Sequence, residues 1–101
     1  METFKIKYSN KQGTSEVEFN GQLTINNIDK IAESLKGNLN LGKSLNVVVK
    51  DVEGIDLTFI QIIYSLIKRG ENEGIEVKTS IEIPNELHQL IINAGFSSLI
   101  K

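Results

Sequence analysis

The chain has 101 residues, of which 40% are hydrophobic and 24% are charged, and this predicts a single domain over residues 1–101. The formal net charge of -2 argues against nucleic-acid binding, which needs a field of positive charge. The absence of cysteine excludes disulfides, thiolate metal sites and a thiol nucleophile. No stretch approaches the roughly 18 apolar residues of a membrane span, and the start lacks an apolar run of signal-peptide length. We therefore expect a cytoplasmic protein without direct membrane insertion.

Alternating apolar and charged residues predict two strands at the start of the chain, from Phe4 to Tyr8 and from Glu16 to Phe19. A turn over residues 10–13 would join them as a hairpin. The register expected from charge and hydrophobicity pairs Lys7 with Glu16, Lys5 with Glu18, Ile6 with Val17 and Phe4 with Phe19. One face of this hairpin is charged, so we expect that face to meet water and the sheet to be covered mainly on the other side.

An amphipathic helix is predicted next, from apolar residues at helical spacing. These residues are Ile25, Ile28, Ile31, Ala32 and Leu35. Thr24, Asn26 or Asn27 could cap its start, and Gly37 is expected to stop it. The polar, glycine-containing segment from Asn38 to Ser44 then connects this helix to the next strand.

The centre of the chain predicts a buried strand, a short acidic turn and a helix between Leu45 and Lys68. The β-branched run of Val47, Val48 and Val49 suits a strand at the centre of the sheet that is covered on both faces. From Leu57 onward the polar residues form one narrow stripe at helical spacing, namely Thr58, Gln61, Ser65 and Lys68. Only this stripe and the first turn of the helix should therefore be visible from outside.

The last part of the chain predicts a break over residues 70–74, a strand and a helix. The strand is indicated by the alternation of Ile75, Val77 and Thr79 with charged residues. Pro84 and Asn85 are expected to open the helix, and Gly95 to end it. Its expected apolar face consists of Leu87, Leu90, Ile91 and Ala94, and Phe96, Leu99 and Ile100 are expected to fold back as a final short element. The complete order is ββαβαβα, which predicts an α/β domain with a mixed β-sheet and helices mainly on one face.

Three carboxylates follow the central strand, where open α/β sheets usually place their sites. Asp51, Glu53 and Asp56 could hold magnesium for phosphate chemistry. Alternatively, the first two belong to a solvated turn and Asp56 caps the helix. Thr58 offers a competing capping register, since Thr58 to Gln61 also matches a capping box. No glycine-rich phosphate loop accompanies these carboxylates.

Other residues with possible chemistry are interpreted structurally. His88, the single histidine, follows Leu87 and is expected at the edge of the apolar face of the last helix. A Ser-His-Asp set could be written with Ser65 or Ser80, but spacing alone does not support it. The aromatic residues Phe59 and Tyr64 are expected in the core rather than at a ligand.

A family resemblance is carried by the segment from Leu45 to Ile63, LNVVVKDVEGIDLTFIQII. It resembles the central strand, loop and helix of STAS domains, the sulfate-transporter and anti-sigma-factor-antagonist family, in which a hydrophobic strand leads to an Asp-Ser-Ser-Gly or Asp-Thr-Ala-Gly motif. Asp56 matches the motif aspartate, Leu57 stands at the position of the first hydroxyl, and Phe59 replaces the glycine. The element order agrees over essentially the whole chain, and the ending at residues 94–96 is also similar.

This resemblance implies a regulatory protein-binding module that is not an enzyme and needs no cofactor or metal. In anti-sigma factor antagonists, a partner kinase phosphorylates the hydroxyl directly after the motif aspartate, and this blocks binding. The implied partner is a kinase-like anti-sigma factor, and Thr58 is the candidate for phosphorylation. The expected docking residues are Glu53, Gly54, Asp56, Leu57, Thr58, Gln61 and Ser65. The alternatives are a STAS-type accessory subunit that binds a transporter subunit in a bacterial lipid-transport ABC complex, and magnesium-dependent phosphate chemistry.

Overall fold

The computed structural model describes residues 3–39, 42–83 and 85–93. In chain order the elements are β1 (Phe4–Lys11), β2 (Thr14–Leu23), a 3₁₀ turn (Ile25–Asn27), α1 (Ile28–Asn38), β3 (Ser44–Ile55), α2 (Leu57–Asn72), β4 (Glu76–Ile81) and α3 (Asn85–Asn93). The order ββαβαβα is therefore confirmed, with the 3₁₀ turn as an addition before α1.

The four strands form one mixed sheet in the order β1-β2-β3-β4. β1 and β2 are antiparallel, whereas β2 with β3 and β3 with β4 are parallel. Parallel neighbours need a crossover, and here α1 joins β2 to β3 and α2 joins β3 to β4. β3 is thus an interior strand, in agreement with its valine-rich sequence.

Helices α1 and α2 cover one face of this sheet. The strand residues buried on that face are Val17, Phe19, Leu23, Leu45, Val47 and Val49. The helices contribute Ile31 from α1 and Phe59, Ile60, Ile63 and Leu66 from α2. The rings of Phe19 and Phe59 meet edge to face with centroids 5.2 Å apart. The prediction that helices lie mainly on one face is confirmed.

The opposite face of the sheet is more open and carries charged residues. Val48 is only half-buried on this face, beside Glu18 of β2 and Ser80 of β4. Our expectation that β3 is covered on both faces was therefore wrong. β-branched residues favour strands whether one face or two are covered, so the valine run alone could not distinguish these cases.

Glu18 is the electrostatic centre of the open face. Its carboxylate lies 3.6 Å from the Nζ atom of Lys7 and 3.6 Å from that of Lys50. Burial raises the pKa of the Glu18 carboxyl, but a hydrogen bond with Asn20 and the two lysine charges outweigh it, so the pKa lies below its ordinary value. The ion pairs therefore connect three adjacent strands through one carboxylate.

The hairpin of β1 and β2 closes through a two-residue turn at Gln12 and Gly13, where φ is +53° and +86°. This is the mirror-image turn that matches the twist of hairpins, and glycine accommodates its second position. Observed partners include Lys7 with Glu18, Ile6 with Phe19 and Tyr8 with Val17. The predicted register was therefore wrong by two residues. Because side chains alternate with a period of two, the shift kept each residue on its predicted face.

The hairpin turn is also bonded to the segment that enters β3. The carbonyl oxygen of Gly13 accepts hydrogen bonds from the amides of Lys43, at 2.7 Å, and Ser44, at 3.4 Å. A Cβ on Gly42 would clash with the same carbonyl oxygen. The tip of the hairpin therefore fixes where the parallel pairing of β2 and β3 begins.

The start of α1 differs from its prediction. Ile25 lies in the 3₁₀ turn and is 63% exposed, so its assignment to the apolar face was wrong. Thr24 and Asn27 make no side-chain capping bond at the helix start. Asn27 instead donates from Nδ2 to the carbonyl oxygen of Gln22, at 2.8 Å. The side-chain amide of Asn27 therefore stabilises the end of β2. At its other end, α1 extends one residue beyond Gly37, to Asn38.

The end of α2 also differs, because the helix passes through Gly70 and continues to Asn72. Gly70 is buried, and a Cβ there would lie 2.6 Å from Cγ2 of Val77 on β4. We expected this glycine to begin a break in the helix, which was wrong. Close packing of the helix on β4 therefore favours glycine at this position, because a larger residue would displace the Val77 side chain.

The last helix, α3, begins at Asn85 as predicted and extends to Asn93. Pro84, Ala94 and Gly95 lie outside the described residues, as does the predicted final element at Phe96, Leu99 and Ile100. The side chains of Leu87, Leu90 and Ile91 are likewise outside the description. The apolar face predicted for this helix therefore stays a prediction.

Candidate functional site

Asp56 stabilises the start of α2 through its side chain. It is the N-cap of the helix, and its Oδ1 atom accepts a hydrogen bond from the amide of Phe59 at 3.3 Å. Its Oδ2 atom accepts from the amide of Ile25 at 2.7 Å. The same carboxylate therefore satisfies exposed amides at the start of α2 and of the 3₁₀ turn. Of the two capping alternatives, Asp56 is correct, and Thr58 lies within the first turn.

Two apolar side chains are exposed beside this carboxylate. Leu57, the first residue of α2, is 40% exposed, and Ile25 is 63% exposed. They belong to the two segments that Asp56 connects, so the bridge holds them at the same end of the domain. Sequence analysis identified Leu57 but missed Ile25, because its spacing matched the apolar face of α1.

The polar stripe of α2 is largely accessible. Gln61, Ser65 and Lys68 are exposed, and Thr58 is half-buried. Tyr64 is 37% exposed, and its ring lies 5.5 Å from the Nζ atom of Lys68. The expectation that Tyr64 belongs to the core was wrong. At 3.6 residues per turn, it falls on the same side of the helix as Leu57 and Gln61, which face away from the sheet.

On the side that faces α1, the polar stripe borders a groove between α1 and α2. This interhelical groove has a volume of about 390 Å³, and Thr58, Gln61 and Ser65 contribute to its lining. Its apolar part is formed by Ala32, Leu35, Leu39, Ile62 and Leu66. The predicted docking residues of α2 thus belong to two surfaces that meet at Gln61, one facing outward and one facing α1.

The predicted acidic turn before α2 is wrong, because β3 continues to Ile55. An irregularity in the pairing with β2 permits this extension: Asp51 adopts φ +52°, and the register shifts between Phe19 and Gly21. Glu53 is exposed and Gly54 is half-buried within the extended strand. They still precede the start of α2, but a strand rather than a turn holds them.

The three carboxylates do not form a metal centre. Within the described parts of the chain, no group of three or more acidic, histidine or cysteine residues could hold a metal ion. Asp51 and Glu53 are exposed on the extended strand, and both oxygens of Asp56 accept backbone amides. The solvated and capping interpretation therefore fits the geometry, and the magnesium alternative does not.

The other candidate residues lie on different parts of the fold. His88 is half-buried on α3, and its Nε2 atom has no hydrogen-bond partner among the residues that the structure describes. Ser65 is on α2, on the covered side of the sheet. On β4, the side chain of Val77 faces α2, and Ser80 is three residues further along, so its side chain lies on the opposite, open face. The two serines proposed for a Ser-His-Asp set are thus on opposite sides of the sheet.

The fold and site define a small α/β domain that presents the start and the outer side of α2, a helix packed on one face of the sheet. The family model of the STAS domain matches residues 5–101. The chain therefore belongs to the STAS domain family. No curated protein matches its sequence closely enough to be reported as a relative.

A solved structure supports the same fold. The chain is similar to the crystal structure of an antisigma-factor antagonist, a STAS domain from Rhodobacter sphaeroides, with a TM-score of 0.63 and 15% sequence identity. The match covers 76% of this chain and 85% of that one. None of the helices in the described ranges is long and apolar enough to cross a membrane.

Proposed function

We propose that this STAS domain is a non-enzymatic, cytoplasmic regulatory module that binds a kinase-like anti-sigma factor in a bacterial cell. The proposed docking surface consists of Glu53, Gly54, Asp56, Leu57, Thr58, Gln61 and Ser65, together with Ile25. The observation that carries the proposal is the exposure of Leu57, at 40%, on the first turn of a helix whose start is held by Asp56.

The geometry of this surface suits protein binding. Leu57 and Ile25 provide apolar contact area, and Gln61 and Ser65 provide exposed hydrogen-bonding groups beside it. Interfaces commonly combine apolar anchors with a polar rim, and anchors on rigid elements lose little conformational freedom on binding. The two backbone bonds accepted by Asp56 supply that rigidity.

The sequence of this surface also bears on regulation. Leu57 occupies the position at which the resemblance places the phosphate acceptor, and it has no hydroxyl. Thr58 is half-buried in the first turn and lines the interhelical groove. A phosphate on Thr58 would add a charge of about -1.5 to -2 close to Asp56 and should weaken docking of an acidic partner.

Docking is tested with the purified kinase-like anti-sigma factor of the source organism and immobilised STAS domain. Leu57→Arg should weaken binding by about tenfold or more if this residue is an anchor, and Gln61→Arg should weaken it as well. Lys78→Glu, on an exposed residue of β4, is the control and should bind normally. Unchanged affinity of both α2 variants would refute the surface, and selective binding of a lipid-transporter subunit instead would favour the accessory-subunit alternative.

Phosphorylation is tested separately. The domain is incubated with the same kinase and ATP, and the product is mapped by mass spectrometry, with Thr58→Ala as the matched control. A phosphate on Thr58 in the wild type would support regulation at this position. If the domain binds the kinase but acquires no phosphate on Thr58, the docking proposal stands and the proposed phosphorylation is refuted.

A further inference from the structure

The interhelical groove between α1 and α2 has features of a ligand site in its own right. Its volume of about 390 Å³ lies within the roughly 300 to 1,000 Å³ typical of small-molecule sites. Aliphatic side chains from both helices form its floor, including Leu35, Ile62 and Leu66. Grooves between packed helices are among the places where apolar ligands bind.

The direction of the two helices gives this groove two different ends. Both α1 and α2 connect parallel strands, so they run roughly parallel to each other, and Asp56 ties their starting ends together. Thr58 therefore lies at one end of the groove, whereas Lys36 and Arg69, in the last turns of α1 and α2, lie at the other. From Thr58 to Arg69 the axis of α2 rises about 16 Å.

The basic end carries an excess of positive charge. Arg69 donates from Nε to Oε2 of Glu73 at 3.1 Å, so one carboxylate offsets part of this charge. Lys36 is exposed, and no carboxylate of the described residues forms an ion pair with it. One cation at the mouth of an apolar groove thus remains available to an anionic group.

We propose that the interhelical groove binds a single-chain carboxylate amphiphile. The alkyl chain lies along the aliphatic floor, and the carboxylate lies at Lys36 and Arg69. One extended alkyl chain fits along the roughly 16 Å between Thr58 and Arg69. The exposed Lys36 at one end of the groove complements an anionic headgroup. The charge at one end selects a carboxylate headgroup over a neutral one.

This site would affect docking, because Thr58, Gln61 and Ser65 border both the groove and the proposed docking surface. A bound chain would change the environment of these residues and thereby alter partner affinity. That consequence rests on the proposed function, whereas ligand binding itself does not and is measured without any partner.

The probe is decanoate, titrated into the full chain below its critical micelle concentration and followed by methyl NMR. The methyl signals of Leu35, Ile62 and Leu66 should shift in a saturable manner. Nonyl maltoside, which has the same nine-carbon alkyl chain and a neutral headgroup, should bind more weakly. Lys36→Gln should weaken decanoate binding about threefold to fivefold. Lys30→Gln, an exposed lysine of α1 outside the groove lining, should leave it unchanged.

Two further variants block the groove by adding volume. Ala32→Phe fills its floor, and Ser65→Trp covers it from an exposed position that folding should tolerate. Each should abolish the saturable shifts in a folded protein. Unshifted groove methyls, equal affinity for nonyl maltoside, or binding that survives Ser65→Trp would overturn the proposal. If only the docking partner shifts these methyls, the groove belongs to the protein interface and the amphiphile assignment is wrong.

Discussion

Replacing Asp56 by alanine should destabilise the domain by about 2 to 2.5 kcal/mol, because one carboxylate accepts hydrogen bonds at the start of two segments. Loss of an N-cap costs about 1 kcal/mol. The second bond, from the amide of Ile25 at 2.7 Å, has a charged acceptor. Such bonds contribute about 1.5 to 3 kcal/mol, and solvent exposure places this one near about 1 to 1.5 kcal/mol. The sum exceeds what a simple cap would contribute.

Asp56→Ser separates the two contributions. Serine retains an oxygen that can accept from the amide of Phe59, but its single short hydroxyl cannot also reach Ile25. We therefore expect Asp56→Ser to lose only the second contribution, about 1 to 1.5 kcal/mol. Glu53→Ala, at an exposed position three residues earlier, is the control and should stay within about 0.5 kcal/mol of the wild type.

Urea unfolding followed by circular dichroism measures these free energies of unfolding. The comparison requires that the substitutions leave unchanged the slope of the free energy of unfolding against urea concentration. Asp56→Ala should lower the Tm by about 10 to 20 °C in a domain of this size. Hydrogen exchange at the Ile25 amide should accelerate in both Asp56 variants. If Asp56→Ser is as stable as the wild type, or if the Ile25 amide exchanges normally in both variants, the carboxylate does not bridge the two segments.

Two other predictions concern stability. Gly70→Ala should be less stable than Gly37→Ala by about 1 to 3 kcal/mol in urea unfolding, because the new methyl group would meet Val77. Among the described residues, a Cβ at Gly37 would meet nothing within 4 Å beyond the adjoining backbone of its own helix. Val77→Ala should relieve part of the Gly70→Ala defect, and simple additivity would contradict the contact. The lowered pKa of Glu18 should stabilise the domain above the unfolded-state pKa of roughly 4.3, and this should be lost as the pH falls through the folded-state value. Glu18→Gln should therefore be less stable than the wild type at neutral pH and converge with it in acid, and a constant difference between the two would refute the linkage.

The element order and the covered face could be predicted from sequence because they depend on local periodicity. The family was predicted from the resemblance of the segment from Leu45 to Ile63 to STAS domains. Alternation in β1 and β2 and the valine-rich β3 specified the strands, and the spacing of polar residues specified α2. Asp56 was also among the predicted caps, since a cap depends on the three residues that follow it.

Several of the errors involved contacts between distant segments. The bond between Asp56 and Ile25 joins residues 31 positions apart, so no local pattern indicated that Ile25 would be held outside the core. Gly70 interrupts a helical pattern, yet its packing on Val77 keeps it in the helix. Asp51 adopts φ +52°, which allows β3 to continue where charge suggested a turn. The amphipathic pattern of α2 placed Tyr64 inside, although it lies at the outer edge of the helix.

The bonded tip of the hairpin has a practical consequence for labelling and protein engineering. Loop tips generally tolerate insertions, but the carbonyl of Gly13 is shared with the amides that lead into β3. A peptide tag inserted between Gln12 and Gly13 would break the two-residue turn that positions this carbonyl, and so should disturb the pairing of β1 with β2 and of β2 with β3. A reporter attached near Gly37, where the surroundings are open, should leave the sheet intact.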